Sequence, residues 1–76
     1  MPKRFKDLKE GECFRLVENP ILYYGEPVTL VKIPVLRNYF RTTGYVRNAR
    51  LKEAHRVPLQ KYYHIKDDAL VEVVED

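Results

Sequence analysis

Short apolar runs separated by turn-forming residues recur along this chain of 76 residues. Such runs, rich in β-branched and aromatic side chains, predict strands rather than helices. The predicted strands lie at residues 13–17, 21–24, 28–33, 36–41, 45–51, 61–65 and 69–74. Several short strands at close spacing, with turns between them, are typical of a small all-β barrel or sandwich. A chain of this length predicts a single domain, 1–76.

Two features add to this strand pattern. Phe5 and Leu8 lie three residues apart, which predicts a short N-terminal helical turn with both side chains on one face. Gly11 suits a positive φ where that turn ends. Within the run 28–33, alternate residues are predicted to face opposite sides of the sheet. Pro34 is predicted to end that strand because proline has no N–H to donate to a ladder.

Turn-forming residues predict how the strands are joined. Gly25-Glu26-Pro27 separates the second and third predicted strands. Thr42-Thr43-Gly44 predicts an extra central hairpin between the fourth and fifth, because a three-residue loop with glycine is typical of a hairpin with a bulge. The side chains predicted to point outward together are Arg37, Tyr39 and Arg41 on one strand and Tyr45 and Arg47 on the other. A register slip of one residue would invert this arrangement.

Charge is unevenly distributed, although the net charge is only +3. Residues 29–61 contain eight basic residues and one acidic residue, a net +7, whereas residues 67–76 contain five acidic residues and no basic one. Guanidinium groups bind phosphates through paired hydrogen bonds, and aromatic rings stack on bases. The candidate residues for binding phosphate or base are Arg37, Tyr39, Arg41, Tyr45, Arg47 and Arg50. The alternative is a solvated face whose bases pair with the acidic tail.

The residues of a conventional active site are not found. The three glycines are isolated, which excludes a phosphate-binding glycine motif. His55 and His64 lie nine residues apart and the chain has one cysteine, Cys13, so no metal site is predicted. A single thiol fits a reducing, cytoplasmic compartment, and no apolar run approaches the roughly 20 residues that span a bilayer. We therefore expect a cytoplasmic protein that is not an enzyme, has no cofactor and does not enter a membrane.

Several segments resemble a family of small, mostly uncharacterised proteins of bacteriophages and some bacteria. They are FKDLKEGECFRL at 5–16, VTLVKI at 28–33, the Asn48-Ala49 step, and DALVEVV at 68–74. The resemblance implies an SH3-like barrel and a phage origin, hence the host-cell cytoplasm, and carries no catalytic residue across. The chain departs from the family between Pro34 and Arg47, where it has a basic, aromatic stretch instead of a shorter connection. The expected fold is therefore all-β: a small SH3-like barrel with an N-terminal helical turn and an extra central hairpin.

These observations predict a small binding module. Its first expected partner is an anionic ligand, either nucleic acid or a nucleotide; for a phage protein, a small nucleotide ligand would mean sequestration of a host defence signal. The alternative is a protein-interaction module or an inhibitor of a host nucleic-acid enzyme, able to self-assemble as a homo-oligomer. For that alternative the interface candidates are Tyr23, Tyr24, Tyr62 and Tyr63.

Overall fold

The computed structural model of the chain describes residues 3–37, 46–53 and 62–75. In chain order, its elements are β1 (Lys3–Arg4), a 3₁₀ turn (Phe5–Asp7), β2 (Cys13–Leu16), β3 (Leu22–Tyr23), β4 (Glu26–Pro27), β5 (Leu30–Arg37), β6 (Val46–Leu51), β7 (Tyr62–Tyr63) and β8 (Leu70–Val73). The 3₁₀ turn is the one helical element in these ranges, so the expected all-β class is confirmed for the described part of the chain.

The strands form one large sheet and one small hairpin. Six strands pair antiparallel in the order β1-β8-β2-β5-β6-β7, and β3 pairs with β4 separately. The hydrogen-bonded sheet is not closed, because within the described residues no ladder joins β1 to β7. The structure therefore establishes a compact β-sheet domain.

The opening turn packs on the inner face of the sheet. Phe5 and Leu8 are both buried, and the Phe5 ring meets the Phe14 ring edge-on at 5.4 Å between centroids. Gly11 has a φ of +92°, and its N–H donates to the carbonyl of Lys32. The predicted turn, its shared face and the positive φ of Gly11 are thus confirmed. Around this turn the core contains Phe14, Val28, Leu30, Ala49, Leu51, Ile65 and Val71.

Strand β5 continues through Pro34, so the prediction that Pro34 ends the strand is wrong. The register changes from Lys32 opposite Ala49 to Leu36 opposite Arg47, so β5 advances four residues while β6 advances two. Pro34 lies inside this irregular stretch, where a ladder N–H is not required. The bulge removes the penalty that proline would impose on a regular central strand.

The small hairpin turns earlier along the chain than the sequence predicts. Tyr23 pairs with Glu26 and Leu22 with Pro27, which leaves Tyr24-Gly25 as a two-residue loop. The predicted turn Gly25-Glu26-Pro27 is therefore wrong by this shift. Pro27 is tolerated because it lies on a two-residue strand at the end of a small hairpin.

The antiparallel pairing of the central hairpin is confirmed at its described ends. Leu36 lies opposite Arg47 and Arg37 opposite Val46. Residues 38–45, which include the predicted turn, lie outside the described residues. The last two predicted strands are confirmed in shortened form as β7 and β8.

Candidate ligand-binding face

Three of the six residues predicted to bind phosphate or base fall within the described ranges. Arg37 ends β5, and Arg47 and Arg50 lie on β6. The other three, Tyr39, Arg41 and Tyr45, lie outside the described residues.

The structure places Arg47 and Arg50 on opposite faces of β6. They are three residues apart on a strand whose ladder is continuous from Ala49 to Leu51, and side chains alternate along a strand. Arg47 therefore shares the face of Ala49, which is fully buried, and the Nε atom of Arg47 is itself buried. Arg47 and Arg50 are both half-buried, and Arg50 lies on the face opposite to Ala49 and Leu51.

The face away from the core, which we call the outer face, begins with a row centred on Arg50. Cys13 lies opposite Val31, Val31 opposite Arg50, and Arg50 opposite Tyr62, so these four side chains line up across β2, β5, β6 and β7. Arg50 donates one hydrogen bond from Nη1 to the carbonyl of Leu51 at 3.1 Å. A guanidinium has five N–H donors, so this bond leaves others for a ligand. An arginine beside a tyrosine on one face can bind a phosphate and stack on a base.

A second row on the outer face brings two further basic residues beside the first. Arg15 lies opposite Glu72, and the N–H of Lys52 donates to the carbonyl of Thr29 at 3.0 Å. Extending the ladder between Cys13 and Val31 by two residues places Arg15 opposite Thr29. The row therefore reads Glu72, Arg15, Thr29 and Lys52 across β8, β2, β5 and the end of β6.

Sequence reasoning missed Arg15 and Lys52 as members of this face. Arg15 lies in the N-terminal third of the chain, outside the basic segment, and reaches the face only because β2 pairs with β5. The available signal was strand alternation: Phe14 points to the core, so Arg15 must point away from it.

A cavity of about 390 Å³ adjoins the second row, between the outer face and the small hairpin. Arg15, Thr29 and Lys52 line one part of it, and Tyr23 lines the hairpin side. Three carboxylates also line it: Glu26, Glu53 and Glu75. The pKa of the Tyr23 phenol is raised, first by burial and then by the neighbouring Tyr24 hydroxyl. The cavity is thus electrically mixed, and the first row of the outer face beyond it contains one charged residue, Arg50.

The four tyrosines named as interface candidates differ in their environment. Tyr23 and Tyr63 pack against the core, and burial raises the pKa of Tyr63. Tyr62 is half-buried on the outer face, opposite Arg50. Tyr24 is 83% exposed, more than the other large apolar or aromatic side chains among the described residues. Tyr62 therefore lies on the outer face of the large sheet, on β7, and Tyr24 lies on the separate small hairpin.

The described residues contain no group of three or more His, Cys, Asp or Glu side chains placed to hold a metal ion. They also form no helix that is long and apolar enough to cross a membrane. A scan of the chain against models of protein families gives no match, and searches of curated proteins and of solved structures give none either. The candidate face therefore has to be interpreted from its own residues.

Proposed function

We propose that this protein is a non-enzymatic binding module for a phosphate-bearing partner, either nucleic acid or a nucleotide. The observation that carries the proposal is the composition of the outer face, where Arg15, Arg50 and Lys52 lie in two adjacent rows and Tyr62 stands beside Arg50. Guanidinium and ammonium groups bind phosphates, and an adjacent ring offers a surface for a base. The residues of the central hairpin tip, Tyr39, Arg41 and Tyr45, extend the same proposal from the sequence.

At Arg50, the arrangement of charge along the sheet supports this proposal over neutralisation within the chain, whereas Arg15 lies directly opposite Glu72. Glu72 is the one acidic residue of β8, and β2 and β5 separate it from Arg50 on β6. Three strand spacings amount to about 14 Å along the sheet. That separation exceeds the Debye length of about 8 Å at physiological ionic strength. The field of Glu72 is therefore largely screened at Arg50, and Arg50 keeps its attraction for an outside anion.

Fluorescence anisotropy with labelled single-stranded DNA, single-stranded RNA and duplex DNA tests the proposal. The affinity is expected to fall with salt between about 50 and 200 mM, because each neutralised phosphate releases counterions. Arg50→Ala should weaken binding and flatten the salt slope by about 0.7 for a single strand. Lys9→Ala is the control, since it removes one positive charge from an exposed position on the opening segment and is expected to keep the affinity. Absence of binding by the wild-type chain at low salt would overturn the proposal.

A nucleotide ligand is distinguished from a polymer by calorimetry with mononucleotides and short cyclic or linear oligonucleotides. Tight, stoichiometric binding of a small nucleotide, with weaker binding of long strands, would identify the protein as a sequestering module. The phage origin implied by the sequence resemblance makes a host defence signal the ligand class to examine first. Binding that strengthens with strand length would instead identify a nucleic-acid module.

The second candidate function is protein interaction, which the exposed Tyr24 and Leu22 favour. Exposed aromatic side chains are common anchors of protein interfaces. Pairing of sheet edges is not the mode that the described strands favour, because both edge strands, β1 and β7, are two residues long. Light scattering on the purified chain tests this function: a monomer at all concentrations argues against self-assembly.

A further inference from the structure

The turn of the small hairpin has a backbone conformation that its tyrosine does not favour. Tyr24 has a φ of +52° and Gly25 a φ of +81°. Positive φ at both central residues of a two-residue loop defines a type I′ turn, for which Asn-Gly is preferred. Glycine adopts this conformation without cost, but a bulky L-residue with positive φ is an outlier. By contrast Asn19, at φ +49°, is a residue type that tolerates it.

The packing of Tyr24 does not explain why a tyrosine occupies this strained position. Its side chain is 83% exposed, so its burial contributes little to folding. Its ring meets the Tyr23 ring nearly perpendicularly, with 4.5 Å between centroids. This contact orients the Tyr24 ring and leaves most of it open to solvent. Strained backbone positions that hold an exposed side chain are typical of binding sites, because the strain persists where the side chain is needed.

Tyr24 contacts a residue that lines the cavity beside Arg15 and Lys52. Tyr23 lines this cavity together with Arg15 and Lys52, and Tyr24 is in ring contact with Tyr23. An aromatic surface and two cationic side chains are thus within one cavity's width of each other. The carboxylates of Glu26 and Glu53 repel phosphate from the cavity interior, but they can accept hydrogen bonds from the amino groups of a base.

We propose that Tyr24 stacks on an unpaired base of a single-stranded nucleic acid whose phosphates bind Arg15, Lys52 and Arg50. This inference rests on the proposed function and names its substrate class. The backbone of the strand passes Arg15, Lys52 and Arg50, and a base turns toward the hairpin, where the cavity carboxylates meet its exocyclic amino groups. A duplex keeps its base faces stacked inside, so a protruding ring such as Tyr24 can stack only on a single strand or a loop.

The experiment compares Tyr24→Asn and Tyr24→Phe by anisotropy on a labelled single strand of about 12 nucleotides and on the matching duplex. Tyr24→Asn removes the ring and places the preferred residue in the turn, so the melting temperature should stay at or above that of the wild type. Its affinity for the single strand should fall at least about fivefold, the lower end of the value of one stacked base. Tyr24→Phe keeps the ring and should retain single-strand affinity, and duplex affinity should be the same in all three proteins.

The outcomes separate this inference from the function on which it rests. If the wild type binds neither nucleic acid, the proposed function fails. If Arg50→Ala weakens binding while Tyr24→Asn binds the single strand like the wild type, the proposed function stands and the role of Tyr24 is wrong. An equal loss on single strand and duplex also overturns stacking. If Tyr24→Asn changes only self-association, measured by light scattering, the ring belongs to a protein interface and the inference is wrong.

Discussion

Lys32 has a structural role that removes it from the basic surface. Its Nζ atom donates to the carbonyls of Phe5 and Leu8 at 3.1 and 2.7 Å, and it lies 4.7 Å from the centre of the Phe5 ring. These contacts join the opening turn to the central strand β5. Two backbone hydrogen bonds join the same segments: the N–H of Gly11 donates to the carbonyl of Lys32, and the N–H of Lys32 donates to the carbonyl of Glu12. One basic residue of the central segment therefore binds the protein itself.

Lys32→Met tests this role. Methionine keeps the length of the side chain but leaves the two carbonyls without the ammonium, and hydrogen bonds from a charged group contribute about 1.5–3 kcal/mol each. We expect the free energy of unfolding, measured by urea denaturation, to fall by about 3 kcal/mol, the lower limit for two such bonds, because both are only partly buried. Lys9→Met is the control, since Lys9 is exposed on the same opening segment. Equal stability of the two variants would contradict the role.

The alkaline limit of stability should depend on Tyr63. Burial raises the pKa of its phenol above the ordinary value of 10.0, so the folded state holds the proton after the unfolded state has lost it. This contribution to stability is complete below pH 10 and is lost as the pH rises through the folded pKa. Tyr63→Phe, which cannot titrate, should therefore lose less stability than the wild type between pH 9 and pH 11 in denaturant titrations. Identical pH profiles would contradict this prediction.

At the scale of single residues, the sequence predicts what depends on local geometry. The buried Phe5 and Leu8 follow from their spacing, and the positive φ of Gly11 follows from the absence of a Cβ. The anchoring role of Lys32 does not follow, because its carbonyl partners lie 27 and 24 residues away along the chain. Strand alternation gives the direction of a side chain but not which distant carbonyls its end will reach.

At the scale of elements, Asn48 fixes the segment that leads from β7 to β8. Its Nδ2 donates to the carbonyl of Ile65, and its Oδ1 accepts from the N–H of Ile65, each at 2.8 Å. Among the described residues, Asn48 is the one polar residue that is buried, and Ile65 belongs to the core. Both polar backbone groups of Ile65 are thus satisfied by a single side chain on β6.

Asn48→Leu should release this segment. The substitution keeps the approximate size but leaves the buried N–H and C=O of Ile65 without partners, which costs about 1–3 kcal/mol for each group. We expect lower stability and faster hydrogen exchange of the Ile65 amide. Asn48→Asp separates the two bonds, because a carboxylate accepts from the N–H but cannot donate to the carbonyl. Unchanged exchange at Ile65 in Asn48→Leu would contradict the assignment.

At two prolines, turn-forming residues give wrong predictions of where a strand or a turn lies. Pro34 ends a strand only if the ladder needs its N–H, and the bulge between Lys32 and Leu36 removes that need. In the small hairpin, Tyr24-Gly25 forms the turn although Pro27 is the stronger local signal. In both cases the pairing of two strands decides where the strand ends or where the turn lies. That pairing cannot be predicted from the residues of one segment alone.

At the scale of the whole molecule, the sequence predicts the basic surface only in part. In the fold, β6 carries Arg47 and Arg50, and β8 carries one acidic residue, Glu72. Of the candidate arginines, Arg47 and Arg50 lie on opposite sides of one strand. Arg15 joins the outer face from a distant segment through the pairing of β2 with β5. The sequence therefore shows which segments are rich in charged residues. The order of strands in the sheet determines which of those residues become neighbours.

Strand β2 contributes to both the core and the outer face, so disrupting the core should also disrupt the outer face. Phe14 is fully buried on the strand that carries Arg15. A domain of this length has a total stability of about 4–11 kcal/mol. Phe14→Ala costs about 3–5 kcal/mol, a large part of that total.

We therefore expect Phe14→Ala to be close to unfolding at 37 °C by circular dichroism and to lose nucleic-acid binding in the same temperature range. Val17→Ala, at a side chain that is 46% exposed, is the control and should change the stability by less than about 0.5 kcal/mol. Tyr24→Asn should behave in the opposite way, with binding reduced and folding intact. If Phe14→Ala kept full affinity for a ligand after its tertiary structure had melted, the binding residues would not need the sheet. Binding would then have to reside in segments that function without the core.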